Sequence, residues 1–270
     1  FTAEECDEIY RITPGLNREA LSSKRAKMLK LRKDFILKHA KDIKHNCLME
    51  AGPAYGDFLM LFDMFKERFG IEPSETYSAA VKKERPELTY YPYIVEEFSQ
   101  KFPEMNASAD LVTACHVLEH SFNPQIFVND LANLVKKDGY LFIEVPSIEG
   151  MALTKEPLYL NLYFGHVSQF STSVITRIGV QAGLKPVHVE YATENRYPVI
   201  RALFRKVQGV EDIKKSFADH AKNIEHTSTK ANTDLLSALS DDKNRKIIIW
   251  GCGQDLTDLI PSIEKGNFTD

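Results

Sequence analysis

The sequence predicts an α/β protein built on a doubly wound sheet, mostly parallel with one antiparallel last strand, and preceded by N-terminal helices. Three observations predict it. From His45 onward, short apolar runs alternate with amphipathic stretches, the pattern of strands crossed over by helices. The stretch CLMEAGPAYGDFL, Cys47 to Leu59, reads as strand, glycine turn and resuming helix. Near the end of that region LKPVHVEYA and PVIRALFRKV are separated only by a short polar turn containing TENRY. So short a link cannot make a parallel crossover, so these two strands must be antiparallel neighbours.

Taken in order, residues 1–45 form a helical preface, because ALSSKRAKMLKLRKDFILKHA spaces its apolar residues among lysines and arginines. The basic run SSKRAKMLKLRK within it reads as a solvated helix face. NCLMEAG is a strand with its glycine turn, DFLMLFDMFKERFG a helix ended by Gly70, and IEPS follows a very short strand. SETYSAAVKKERP is helical, YYPYIVEEF strand-like, and ADLVTACHVLEH a strand ending in a charged pair. FNPQIFVNDLANLVKKDG is a helix with a glycine stop, YLFIEVPS a buried strand closed by proline, and Thr172 to Gly183 a helix ended by Gly183. The main domain therefore runs over 46–206. A charged helical connector is expected over 207–245, and KIIIWGCGQDLTDLI opens a second glycine-loop α/β unit over 246–270. That unit looks truncated and the chain starts at Phe1, so an excised piece of a longer protein is expected.

Composition narrows the function classes. A chain of 270 residues exceeds one average domain. A formal net charge of -4 with interspersed signs gives no electrostatic reason to expect nucleic acid as a partner. No window approaches the roughly 20 apolar residues of a membrane span, and no secretory signal is evident, so a cytoplasmic protein without a membrane partner is the default. Cys6, Cys47, Cys115 and Cys252 are scattered without a C-x-x-C pair, so reduced thiols are expected and no zinc site or disulfide framework.

The glycine loop carries the chemistry. A dinucleotide fingerprint needs G-x-G-x-x-G and an acid about 20 residues further on for the ribose hydroxyls. Here Gly52 and Gly56 are present, Pro53 and Ala54 stand where tight glycine turns are wanted, Tyr55 completes the loop, and Glu72 in FGIEPS is the downstream acid. A pyrophosphate beside Glu50 would meet like charge in a partly desolvated loop. A ligand with an ammonium group would instead be attracted. S-adenosylmethionine offers an adenosine to Glu72, a cationic amino acid end to Glu50, and no phosphate. The alternatives are an ordinary strand-to-helix turn and, for Glu72, an acid serving a helix N-terminus.

In order and spacing, LMEAGPAYGDFL, GIEPS with Glu72 and Pro73, ADLVTACHVLEH, DGYLFIEVPS and the closing hairpin resemble the class I S-adenosylmethionine-dependent methyltransferases, whose sheet is Rossmann-like, over about residues 46–206. Within that class GHVSQFS and IIIWGCGQD are most similar to sugar methyltransferases of surface-polysaccharide and deoxysugar pathways. The resemblance implies that the backbone of Cys115 and His116 lies beside the cofactor, and that Glu97, with Phe98 nearby, approaches the adenine amino group. It also implies a mouth formed by Glu119 and His120, and a substrate-facing segment carrying Tyr163 and His166. Against these stand a capping role for Glu119 and His120 and a packed lid for His166. His45 and His188 read as structural, His220 and His226 as solvent-exposed.

Methyl transfer from a sulfonium is an in-line displacement that needs alignment, exclusion of water and, for an oxygen nucleophile, loss of a proton. His120 or His166 could take that proton, since imidazole titrates near neutrality, with Tyr163 orienting the acceptor and no metal required. Relatives that methylate carbon carry a glutamate before the lid histidine, where this chain has Gly165. That difference favours O-methylation of a small polar acceptor, a sugar or phosphorylated metabolite for a cell-surface polysaccharide. The alternatives are C-methylation of a nucleotide-linked keto sugar, a non-catalytic cofactor-binding domain, and a nicotinamide-dependent oxidoreductase. A homodimer is left open.

Overall fold

The computed structural model describes residues 11, 23–151, 165–193 and 198–207. The expected connector over 207–245 and the glycine-loop unit over 246–270 lie outside the described residues, apart from residue 207, as do Tyr163, His220 and His226.

Helix α1 (Ser23–His39) leads into β1 (Cys47–Ala51), α2 (Asp57–Met60), β2 (Glu67–Ile71), α3 (Glu75–Glu84), β3 (Thr89–Tyr91) and α4 (Val95–Lys101). There follow β4 (Ala109–Cys115), α5 (Pro124–Leu134), β5 (Val135–Pro146), α6 (Ile148–Met151), α7 (Thr172–Gln181), β6 (Leu184–Ala192) and β7 (Val199–Lys206). The seven strands form one sheet in the order β3-β2-β1-β4-β5-β7-β6. The first five are parallel, and β7 runs antiparallel to both β5 and β6. The expected reversed last strand is thus present, inserted between β5 and β6. Among the described residues no helix is long and apolar enough to cross a membrane.

The strands are apolar on both faces because helices cover both. With period 2, Met49 and Ala51, Leu141 and Ile143, and Ala202 and Phe204 point to one core with α4, α5 and α7. Leu48, Leu111, Tyr140, Phe142 and Leu203 point to the other, beneath Leu29, Phe35 and Ile36 of α1. Local signals fix the helix ends. Asn123 accepts from the Ile126 N–H before Pro124 opens α5, and Ser171 accepts from the Val174 N–H at the start of α7. Gly183, at φ 76°, follows α7 where a left-handed residue ends a helix.

Several expectations need correction. DFLMLFDMFKERFG is not one helix: α2 spans four residues, and ERFGI pairs in parallel with β1 as β2. Gly70 therefore does not stop a helix. It sits in β2, where a Cβ would meet the Tyr90 ring at 2.6 Å and Pro53 at 2.8 Å. In YYPYIVEEF the strand ends at Tyr91 and VEEF turns into α4. The helix opened by Pro124 ends at Leu134, and Val135 already belongs to β5, paired with Ala109. The basic run of α1 is not wholly solvated, since Arg32 is buried with Leu29, Phe35 and Ile36 on its inner stripe.

Candidate active site

Chain order reverses at β1. From there the chain builds β2 and β3 on one side, then crosses to β4 on the other, which opens a crevice at the carboxyl ends of β1 and β4. Both loops at that crevice are tight. Gly52 and Gly56 take φ 63° and 73°, and Ala54 is held at φ 48°, where glycine is normally preferred. A Cβ at Gly52 would strike Val117 Cγ2 at 2.5 Å, so the β1 loop and the β4 loop meet only because that residue is glycine.

Glu72 fastens the loop. Its carboxylate accepts from the Ala54 N–H at 2.9 Å and the Ser74 N–H at 3.0 Å, and the Tyr90 hydroxyl donates to the Ala54 carbonyl at 3.1 Å. Burial raises the Glu72 pKa, and those two backbone donors oppose the rise. Pro73 is half-buried beside it, and Tyr55 packs edge-on against Tyr77 at 4.8 Å.

A cavity of about 270 Å³ opens between α1 and the loop, lined among others by Arg25, Arg32, Glu50, Gly52, Cys115 and His116. Strand alternation explains its polarity. On β1 Glu50 follows Leu48 on the α1 side, on β5 Glu144 follows Phe142, and on β7 Arg201 precedes Leu203. Glu144 and Arg201 are direct cross-strand partners. These charges therefore gather on the face that Arg32 of α1 covers.

Glu144 is fully buried and binds three cations. It accepts from Arg32 Nε at 2.7 Å, from Arg201 Nε at 2.9 Å and from His116 Nε2 at 3.1 Å. Burial alone would raise its pKa, but Arg32, followed by His116, holds it well below the usual carboxylate range. His116, at φ 56°, places its other ring nitrogen 3.2 Å from Glu119 Oε1. Burial would lower the imidazole, but hydrogen bonds to Glu119 and Glu144 outweigh it and raise its pKa to about 9, so both ring nitrogens donate. Glu50 is buried with few partners, and burial pushes it up to about 8, opposed by Arg32. Burial also drives the Cys115 thiol well above its ordinary value.

The turn after β4 then assembles a second group. Glu119, buried to 1 %, and His120 meet His166, which follows on the segment after β5. His120 Nδ1 donates to the Gly165 carbonyl at 2.8 Å, the two imidazoles lie edge-on at 5.0 Å, and His166 Nε2 is 4.0 Å from Glu119 Oε1. The Ser168 N–H donates to the Glu119 carbonyl at 3.1 Å and docks the segment. Burial lowers the His166 pKa, against the pull of Glu119. Glu119 and His120 do not cap α5, whose cap is Asn123.

The sequence-predicted residues Glu50, Gly52, Pro53, Ala54, Cys115 and His116 thus border one cavity, and Glu119, His120 and His166 form one cluster joined to it through His116. Phe98 is fully buried against Tyr91 and Phe102, each 5.0 Å away, outside the residues that line the cavity. Glu97 lies on α4 and pairs with Arg11 at 2.8 Å. His188 stacks on His39 at 3.9 Å, away from the site. Sequence reasoning missed Arg32, Glu144 and Arg201. The signal was present: an acid inside YLFIEVP and a base inside VIRALF, each interrupting an apolar strand-like run.

No curated protein sequence matches the chain significantly. Solved structures share the fold at low identity. An N-methyltransferase, NodS from Bradyrhizobium japonicum in complex with S-adenosyl-L-homocysteine, is 13% identical with a TM-score of 0.55 over 75% of this chain and 97% of its own. Magnesium protoporphyrin IX methyltransferase from Synechocystis with the same ligand is 13% identical, with a TM-score of 0.56 over 76% of this chain and 100% of its own. The [4+2]-cyclase SpnF is 11% identical, with a TM-score of 0.55 over 73% and 87%. A family model described as a methyltransferase domain matches residues 19–189, more than half of the chain, and its span takes in α1, the glycine loop, the residues lining the cavity, the Glu119, His120 and His166 cluster and most of β6. The chain therefore belongs to the methyltransferase-domain family.

Proposed function

We propose that the cavity between α1 and the glycine loop holds S-adenosylmethionine and that the enzyme transfers its methyl group to an oxygen of a small polar acceptor, sugar-like or phosphorylated, in cell-surface polysaccharide biosynthesis. The observation that carries the cofactor assignment is the pairing of an under-partnered buried acid, Glu50, with the cations Arg25 and Arg32 around one cavity. A zwitterionic amino acid end satisfies both signs there: its ammonium relieves Glu50 and its carboxylate faces the guanidinium side. Glu72 takes the ribose, with Pro73 and Tyr55 beside it, the backbone of Cys115 and His116 lies along the cofactor, and Glu97 serves the adenine side.

The acceptor enters at Glu119, His120 and His166, with Tyr163 orienting it. As its oxygen attacks the methyl carbon, the carbon–sulfur bond breaks with its electron pair going to sulfur, and the oxygen's proton leaves at the cluster. Without a metal the receiving group is an imidazole. His166 suits this, because burial favours its neutral, proton-accepting form. Gly165 beside it supports oxygen over carbon as the nucleophile, since no carboxylate stands there to abstract a proton next to a carbonyl.

Incubating the full chain with methyl-labelled cofactor and a panel of sugars and sugar phosphates, followed by mass spectrometry, tests this reading. It expects one added labelled methyl on oxygen. Labelling of carbon or nitrogen only, or of no acceptor in the panel, overturns it.

A further inference from the structure

Glu119, His120 and His166 are the group of metal-ligating side chains found among the described residues: one atom from each lies within 4.8 Å of the others. Two features distinguish the group from a chance meeting of polar residues. First, Glu119 is 1 % exposed, and while its Oε1 faces His116, its Oε2 is buried without a hydrogen-bond partner among the described residues, an arrangement that is costly unless a further donor or cation satisfies that oxygen. Second, a carbonyl oxygen can only accept, so His120 Nδ1 donates to the Gly165 carbonyl at 2.8 Å. A backbone carbonyl that holds the far ring nitrogen is the usual support of a metal-bound histidine.

We propose that Glu119, His120 and His166 bind a divalent transition-metal ion whose open coordination position takes the acceptor's hydroxyl oxygen. Two imidazoles and one carboxylate are the ligand set of catalytic zinc sites with a fourth position free, and nitrogen-rich sites favour transition ions over magnesium. Bonds of about 2.1 Å hold tetrahedral ligands about 3.4 Å apart, so the widest pair here closes by about 1.4 Å on binding. That is within side-chain reach, because Glu119 and His120 share one turn and His166 is docked onto it by Ser168.

The inference rests on the proposed O-methylation for its chemistry, though not for the binding itself. With the ion present, the imidazoles are ligands rather than bases. The ion draws electron density from the acceptor oxygen, the hydroxyl proton passes to solvent water, and the oxygen attacks the methyl carbon while the sulfonium leaves as neutral thioether.

Cobalt titration of the chelator-treated full chain, read by visible absorption and by calorimetry with zinc in competition, tests the site without any acceptor. One ion per chain is expected, with affinity falling at least tenfold in Glu119→Gln, His120→Ala and His166→Ala and unchanged in His188→Ala. S-adenosylhomocysteine binding by each variant confirms its fold and reads the cofactor site separately. No saturable binding by the wild-type chain, or equal binding by the three variants, overturns the proposal. So does methyl transfer that is unaffected by chelation. Loss of S-adenosylhomocysteine binding from the wild-type chain would instead count against the cofactor reading.

Discussion

Glu50 gives the ligand-free protein a pH response through its burial. Its carboxyl is raised to about 8 by burial, opposed by Arg32 and Arg25 and reinforced by Glu72 and Asp57; Asp57, Arg32 and Arg25 line the same cavity. The folded-state pKa lies above the unfolded value, so the folded chain holds a proton that the unfolded chain has lost. Glu50 therefore costs the ligand-free protein stability as pH rises between about 5 and 8, and the loss levels off above that window. Urea denaturation of wild-type and Glu50→Gln protein across that range checks it. The variant is expected to gain stability over the wild type as pH rises, and parallel profiles would show that Glu50 is ionised throughout. This residue was legible in the sequence because an acid next to a glycine turn is out of place for a phosphate site. Its partner Arg32 was hidden, since in a run as basic as SSKRAKMLKLRK nothing marks which cation turns inward.

At the level of elements, α1 is pinned to the sheet by a charge as well as by packing. Leu29, Phe35 and Ile36 bury its stripe, and Arg32 reaches Glu144 between them. Replacing Glu144 with alanine strands Arg32, Arg201 and His116 without their shared anion, and loss of one member of such a buried group costs about 3–5 kcal/mol. Thermal or chemical denaturation is expected to show a loss of that size. A change within about 0.5 kcal/mol, the range of ordinary surface substitutions, would show that the network is solvated. The strand-and-hairpin frame was readable because its signals are local: apolar runs, a glycine at the α7 end, a linker too short for a crossover. Boundaries that depend on pairing were not. ERFGI carries the composition of a helix end, and only its alignment with CLMEA makes it a strand. VEEF likewise reads as strand until Tyr91 ends the pairing and the chain turns into α4.

Across the whole molecule, the order of strands brings two groups that are far apart in sequence into one line. Glu50 and Arg32 line the cavity, His116 joins Glu144 to Glu119, and Glu119 meets His120 and His166. The sequence named most members of this line but not its continuity, because His116 links the two halves only through a left-handed backbone that no local pattern announces. The proposed cofactor end and the proposed acceptor end are thus joined by one polar path through the sheet. Calorimetric titration of S-adenosylhomocysteine into wild-type and Glu50→Gln protein at a pH above 8 tests this account most directly. It predicts saturable one-to-one binding to the wild type, weakened at least tenfold in the variant. Absence of binding to the wild type, or equal affinity in both, would contradict it.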